Sequence, residues 1–512
     1  MLTDGPGAFL RRIPLHPLLF AAYAVLFLYS ANLDRVLPVD AIAPLARAVA
    51  AAAGLTCVLA LLLRDVRKGA IIATAIVVAY FGFGHVAGFL AGRGIGDAAQ
   101  LGAWAAIVVA AIVFAVRATA RVPQATLGLN VVAAVLVSVA LATILPYEIS
   151  RAGRGPISHA PAVRAGTDVA TERDIYFLVF DRYGSADAIK RRFDITDNDL
   201  YGWLVARGFQ VPAHSHANYR ATDFSLAATL NMRFLDDLTR DVGPASADRT
   251  PAQALIQDHE VGRFLKTQGY RYYQIGSWFG PTRSVAIADE NLSFGVASEF
   301  ETVLNDLTIM AAIDRVRGVV SPEPTERDRH REGTLFGLRQ LRRVATAPGP
   351  KFVFAHILLP HDPYVFKADG SALSEEEAKA APERQLYADH LAFANSQIRD
   401  IVGYLLSGPE ETRPIVIIEG DEGPLMCQAL DCVRNTPEYL RIRLGNLVAM
   451  YLPGVDERLP DTFTSVNTFR VVLHEYFGAD LESLPDRSFT WPDNDHLYDF
   501  QDVTDQILGG SE

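Results

Sequence analysis

The sequence predicts a multi-pass α-helical membrane domain of five spans, followed by a soluble α/β domain with a mostly parallel central sheet and helices on both faces. Two changes along the chain predict this. The first is in charge: up to Tyr147 there are ten Lys/Arg and five Asp/Glu, a net of +5, whereas the remainder carries −17 of the chain's total of −12. The second is in period. Long apolar runs fill the first part, and short β-branched or aromatic runs alternate with helical patterns in the rest.

The apolar stretches lie at 14–33, 43–63, 69–92, 99–116 and 127–147, each near the roughly 20 residues that cross a bilayer. A cleaved leader would account for the first stretch alone, and no small-residue cleavage pattern follows it. Arg11 and Arg12 precede the first span, Arg64, Arg67 and Lys68 lie between the second and third, and Arg117 and Arg121 between the fourth and fifth. That bias places the N-terminus in the cytoplasm. Five spans then put everything after 147 on the periplasmic or extracellular side of a cell membrane. Within the spans, Arg47 is read as snorkelling to the interface and His85 as packing on a neighbouring helix.

Cysteine usage suits an oxidising compartment: Cys57 falls in the second span, and the outer part holds an isolated pair, Cys427 and Cys432, expected as a disulfide. Residues 148–172 lack periodicity and read as a linker, leaving 173–512 as the outer domain. The stretch 320–332 reads as a charged surface loop.

Five runs in the outer part are strand-like: 175–180, 270–276, 351–359, 414–419 and 447–454. Helical patterns at 223–237, 252–268, 334–346 and 383–406 separate them. In such sheets, sites collect beyond the carboxyl ends of the strands. There the chain sets Asp181, then His361 and Asp362, then Asp421 and Glu422. Singly these are turn formers. Together they put carboxylates and an imidazole on one rim, which suits a hard divalent cation. Thr222 opens a helical run and reads either as an N-cap or as a hydroxyl at a phosphate-binding helix start. His356 alternates with its strand neighbours and reads chiefly as a core histidine. Arg283, in "GSWFGPTR", is either a phosphate contact or a surface arginine.

The ordered series of Asp at a strand end, "NYRATDFSLAATLN", "PHDPY", "DEGP", "YLPG" and "VNTFR" resembles membrane-anchored members of the alkaline phosphatase/sulfatase superfamily. Lipoteichoic acid synthases and phosphoethanolamine transferases are the better-known cases. The resemblance covers about 174–505 and the anchor before it. It implies an alkaline phosphatase-like fold and a metal-dependent transferase or hydrolase passing a phosphoglycerol or phosphoethanolamine group through a phospho-threonine. Thr222 matches the nucleophile, Asp181 and Asp421 match cation ligands, and His361 matches a residue facing the substrate phosphate. Glu422 stands where the family usually has His. With Asp181, Thr222, Asp421 and Glu422 as ligands the set is all oxygen, which favours manganese or magnesium over zinc. The implied partners are a membrane phospholipid donor and an envelope glycan or lipid acceptor; nucleic acid is not expected. Sulfate ester hydrolysis is disfavoured, because the position that would become formylglycine is Thr222. The alternative is a catalytically inactive member that binds or scaffolds in the envelope.

Overall fold

The computed structural model describes residues 13–154, 163–166, 172–295, 298–317, 326–425 and 435–509. Cys427 and Cys432 lie outside the described residues, and so does the expected disulfide. The chain divides into two compact units, Met1–Arg154 with Ala297–Pro324, and Gly155–Val296 with Thr325–Glu512.

The first unit is built on α1 (His16–Ser30), α2 (Pro38–Leu63), α3 (Val66–Ala91), α4 (Asp97–Arg117) and α5 (Val122–Gly153). Among the described residues four apolar segments are long enough to cross a membrane: α2, α3, α4 and the continuous stretch Thr119–Gly153 that contains α5. At 15 residues, α1 is about 22 Å long and shorter than the predicted run, because Asn32 turns back to donate to the Leu28 carbonyl. The helix α5 runs on to Gly153, so the first residues of the predicted linker are helical. Asp65 separates α2 from α3 by accepting from the Arg67 and Lys68 amides, at 2.9 and 3.2 Å, directly after Arg64 in the left-handed region.

Backbone groups in an apolar setting need internal partners. At the start of α1 the Asn130 side chain provides them: its Oδ1 accepts from the Leu15 and His16 amides and its Nδ2 donates to the Ile13 carbonyl. His85 packs edge-on against Phe27, as expected. Arg47 pairs with Glu301. Glu301 lies in the first of two short helices, Glu299–Asp306 and Ile309–Arg317, for which the sequence carries no clear pattern and which belong to this unit. A capping box between Ser298 and Glu301 starts the first of them, and Phe300 and Leu304 bury beside Leu28, Tyr29 and Leu33.

The second unit holds a six-stranded sheet. Its strands are β1 (Ile175–Phe180), β2 (Arg271–Ile275), β3 (Glu290–Leu292), β4 (Lys351–Ile357), β5 (Ile415–Glu419) and β6 (Val448–Tyr451), in the order β3-β2-β4-β1-β5-β6. Only β6 runs antiparallel to its neighbour. Every residue of β1, β4 and β5 is buried, the pattern of strands covered on both faces, which is why they read as unbroken apolar runs. Register puts Ile175 beside both Phe352 and Ile415. One face carries α6 (Thr222–Asn231) and α10 (Thr468–Phe477) over Phe177, Val179 and Phe354. The other carries α7 (Glu326–Ala345) and α8 (Glu383–Leu405) over Tyr176, Leu178 and Val353. A shorter α9 (Pro437–Leu444) precedes β6.

Three boundaries differ from expectation. The predicted charged loop is helical from Glu326 onward. The stretch 252–268 breaks at His259, whose Nδ1 accepts from the Gly262 amide and starts a new helix. The run 223–237 ends at Asn231, where Met232 turns left-handed.

Candidate metal centre

The three central strands β4, β1 and β5 bring one side chain each to a common point. Asp181 is the first residue past β1, and its amide donates to the Ile357 carbonyl at the end of β4. His356 is the second-last residue of β4. Asp421 lies two residues past β5, beyond Gly420, where a Cβ would come within 2.1 Å of the Tyr183 carbonyl. Only glycine permits that approach, and Gly423 is equally confined, its missing Cβ falling 1.9 Å from the Ile442 carbonyl.

Ligand atoms of Asp181, His356 and Asp421 lie within 4.8 Å of one another, and all three residues are buried. His356 Nδ1 is held by Thr282 Oγ1 at 2.7 Å and Ser277 Oγ at 3.2 Å. The Thr282 hydroxyl in turn reaches the Phe279 carbonyl, and His356 Nε2 lies 3.3 Å from Asp181 Oδ2. Asp421 Oδ1 accepts from the Arg182 amide at 2.9 Å, and the Asp421 carbonyl accepts from Ser225 Oγ at 2.6 Å. Asp181 Oδ1, His356 Nε2 and Asp421 Oδ2 are buried with no hydrogen-bond partner. Three unsatisfied polar atoms converging in a buried place is the arrangement a bound cation completes.

The electrostatics agree. Burial, followed by the facing Asp181 carboxylate, pushes Asp421 up to about 6. Burial alone would raise Asp181 too, but His361, His356 and Arg182 outweigh it and hold this carboxyl below its usual range. His361 therefore lies near the triad, and its own imidazole is held below the usual value by burial. The Thr222 side chain lies beside the Asp421 carboxyl and offsets part of that rise.

Thr222 is the first residue of α6, not its cap; the capping position is Ala221, with no side-chain cap bond. The cap reading of Thr222 therefore falls away. It is half-buried and beside the triad. Glu422 stands outside the triad: its Oε1 pairs with Arg443, and its Oε2 is buried with no hydrogen-bond partner. His356 takes the third place instead, so the expected all-oxygen set becomes two carboxylates and an imidazole. That removes the reason for setting zinc behind manganese or magnesium. Arg283 donates to the Gly295 carbonyl at 3.0 Å.

Sequence reading missed His356 because alternation along β4 looked like core packing. The available signal was its position: in a parallel sheet it sits level with Val179, two residues before Asp181.

No family model matches the chain, and no curated protein matches it. Among solved structures it is similar to the C-terminal periplasmic domain of EcEptC from Escherichia coli in complex with Zn. That match has 11% identity and a TM-score of 0.41, and covers 67% of this chain and 100% of that one. A second is an alkaline phosphatase superfamily protein from Vibrio parahaemolyticus, at 10% identity and a TM-score of 0.41, covering 68% and 81%. A third is the integral membrane lipooligosaccharide phosphoethanolamine transferase A of Neisseria meningitidis, at 11% identity and a TM-score of 0.36, covering 78% and 73%.

Proposed function

We propose that the protein is a membrane-anchored, metal-dependent phosphotransferase or phosphodiesterase of the cell envelope. It acts on a phosphoglycerol or phosphoethanolamine head group through a phospho-Thr222 intermediate. The observation that carries this is the half-buried Thr222 at a helix start, beside a carboxylate of a triad with three unpartnered ligand atoms. Asp181, His356 and Asp421 would hold a divalent cation, with the Thr222 hydroxyl beside them. When bound, such an ion lowers the pKa of a hydroxyl and offsets charge on phosphoryl oxygens.

The residues then divide the chemistry. Thr222 Oγ loses its proton and bonds to phosphorus as the bond from phosphorus to the lipid alcohol oxygen breaks, and the lipid leaves as the protonated alcohol. The N-terminus of α6 directs backbone N–H groups toward the transferred group. His361 faces the substrate phosphate. An acceptor hydroxyl or water then displaces Thr222, completing transfer or hydrolysis. The anchor holds the domain where the lipid donor is concentrated.

The test is mass spectrometry of the Thr222 peptide after the full chain, loaded with manganese or zinc, meets phosphatidylglycerol or phosphatidylethanolamine vesicles. A phosphoglycerol or phosphoethanolamine adduct on Thr222 is expected and names the head group. Metal binding without any adduct or product would move the protein to the alternative, an envelope binding or scaffolding role.

A further inference from the structure

Beside the triad stands a cluster that the chemistry above does not use. Arg182 follows Asp181 directly and has a φ of +58°, unfavourable for any residue with a Cβ. Glycine would adopt that backbone freely and still offer its amide to Asp421. An arginine there points to a use for the side chain. Its guanidinium pairs with Asp362 and lies 3.8 Å from Glu422 Oε1.

Glu422 is gripped from the other side by Arg443, which also donates to the Gly423 carbonyl at 2.8 Å. This inner half is closed, with Glu422 1% and Arg443 6% exposed. The outer half is reachable: the Arg182 and Asp362 side chains are 17% and 32% exposed. One guanidinium is therefore sealed, and the other is covered by its most accessible carboxylate. Phosphoryl oxygens present to a guanidinium the same planar pair of acceptors as a carboxylate.

We propose that Arg182 binds a non-bridging phosphoryl oxygen of the substrate in exchange for Asp362. Glu422 and Arg443 hold it in place, so that the cluster supplies positive charge where a second cation would otherwise be needed. Glu422 is then a positioning residue and not a ligand of the cation. This rests on the phosphoryl-transfer reading above.

Calorimetry on the full chain in detergent, with Mn²⁺ and inorganic phosphate as probes, tests it. Wild type is expected to take one equivalent of Mn²⁺ and then phosphate. Arg182→Ala should weaken phosphate about tenfold or more, the worth of a charged hydrogen bond, while Mn²⁺ affinity stays within about threefold. Guanidinium ion at low millimolar concentration should recover part of the loss, and Arg182→Lys should fall between. Asp362→Asn should tighten phosphate by removing its competitor, a change that a purely structural role for the pair would not produce. Glu422→Gln should leave Mn²⁺ affinity within about threefold. Unchanged phosphate binding in Arg182→Ala overturns the proposal, as does loss of Mn²⁺ in Glu422→Gln to the extent seen in Asp421→Asn. Retention of Mn²⁺ by Asp421→Asn would instead remove the cation centre, and the phosphoryl-transfer reading with it.

Discussion

The two ends of the same three strands carry similar residues and treat them in opposite ways. At the amino ends, Asp174 just before β1 accepts from the Lys351 amide and pairs with its ammonium group, which also donates to the Ala347 carbonyl at 2.9 Å. The Asp174 carbonyl takes the first amide of β5. Nothing is left over for a ligand. At the carboxyl ends, Asp181, His356 and Asp421 each keep a buried polar atom without a partner. Burial of charge is common to both ends; unsatisfied valence belongs to one. A buried ionisable group therefore points to function only when its hydrogen bonds do not close.

Substitutions at the two ends should separate activity from stability. The largest effect is expected for Thr222→Ala. Turnover of phospholipid should fall roughly 10³-fold or more, as when a nucleophile is removed, with the melting temperature unchanged because Thr222 caps nothing. Next is Asp421→Asn, which should weaken Mn²⁺ or Zn²⁺ binding by at least about 100-fold in calorimetry. A mutant that still bound metal normally would erase the distinction between the ends. At the other end, Lys351→Met should destabilise by roughly 2 kcal/mol, less than a fully buried pair costs because Asp174 is a quarter exposed. Urea unfolding of the mutant should show that loss alongside wild-type turnover per folded molecule.

The smallest effect concerns pH. His259 is buried, and burial first, then Arg263, lowers its imidazole to about 3. The unfolded chain takes up that proton near 6.5 and the folded chain does not, so stability present above 6.5 is lost as pH falls toward 3. Between 6.5 and 3 the cost should approach roughly 1.4 kcal/mol per pH unit. In chemical unfolding at pH 6.5 and 5.5, His259→Asn should show a shallower fall than wild type.

The sheet was legible because its strands are covered on both faces and so read as apolar runs ending in charge. The strand β3 was not: three residues at an edge carry too little pattern. The convergence of Asp181 and Asp421 was legible from their places at strand ends. His356 was hidden because a strand's alternation looks the same whether an imidazole meets a core or a cation. The fate of Glu422 was hidden for another reason. Its partner Arg443 comes from α9, and no local pattern couples residues brought together only by tertiary folding.

The hydrogen bond from Ser225 to the Asp421 carbonyl has a mechanical meaning. Ser225 lies one turn along α6 from Thr222, so Thr222 and Asp421 hang from a single joint between helix and strand. Thermal motion that shifts α6 against the sheet must carry the Asp421 turn with it. The gap across which phosphorus would be passed is then kept by a linkage that travels as one piece.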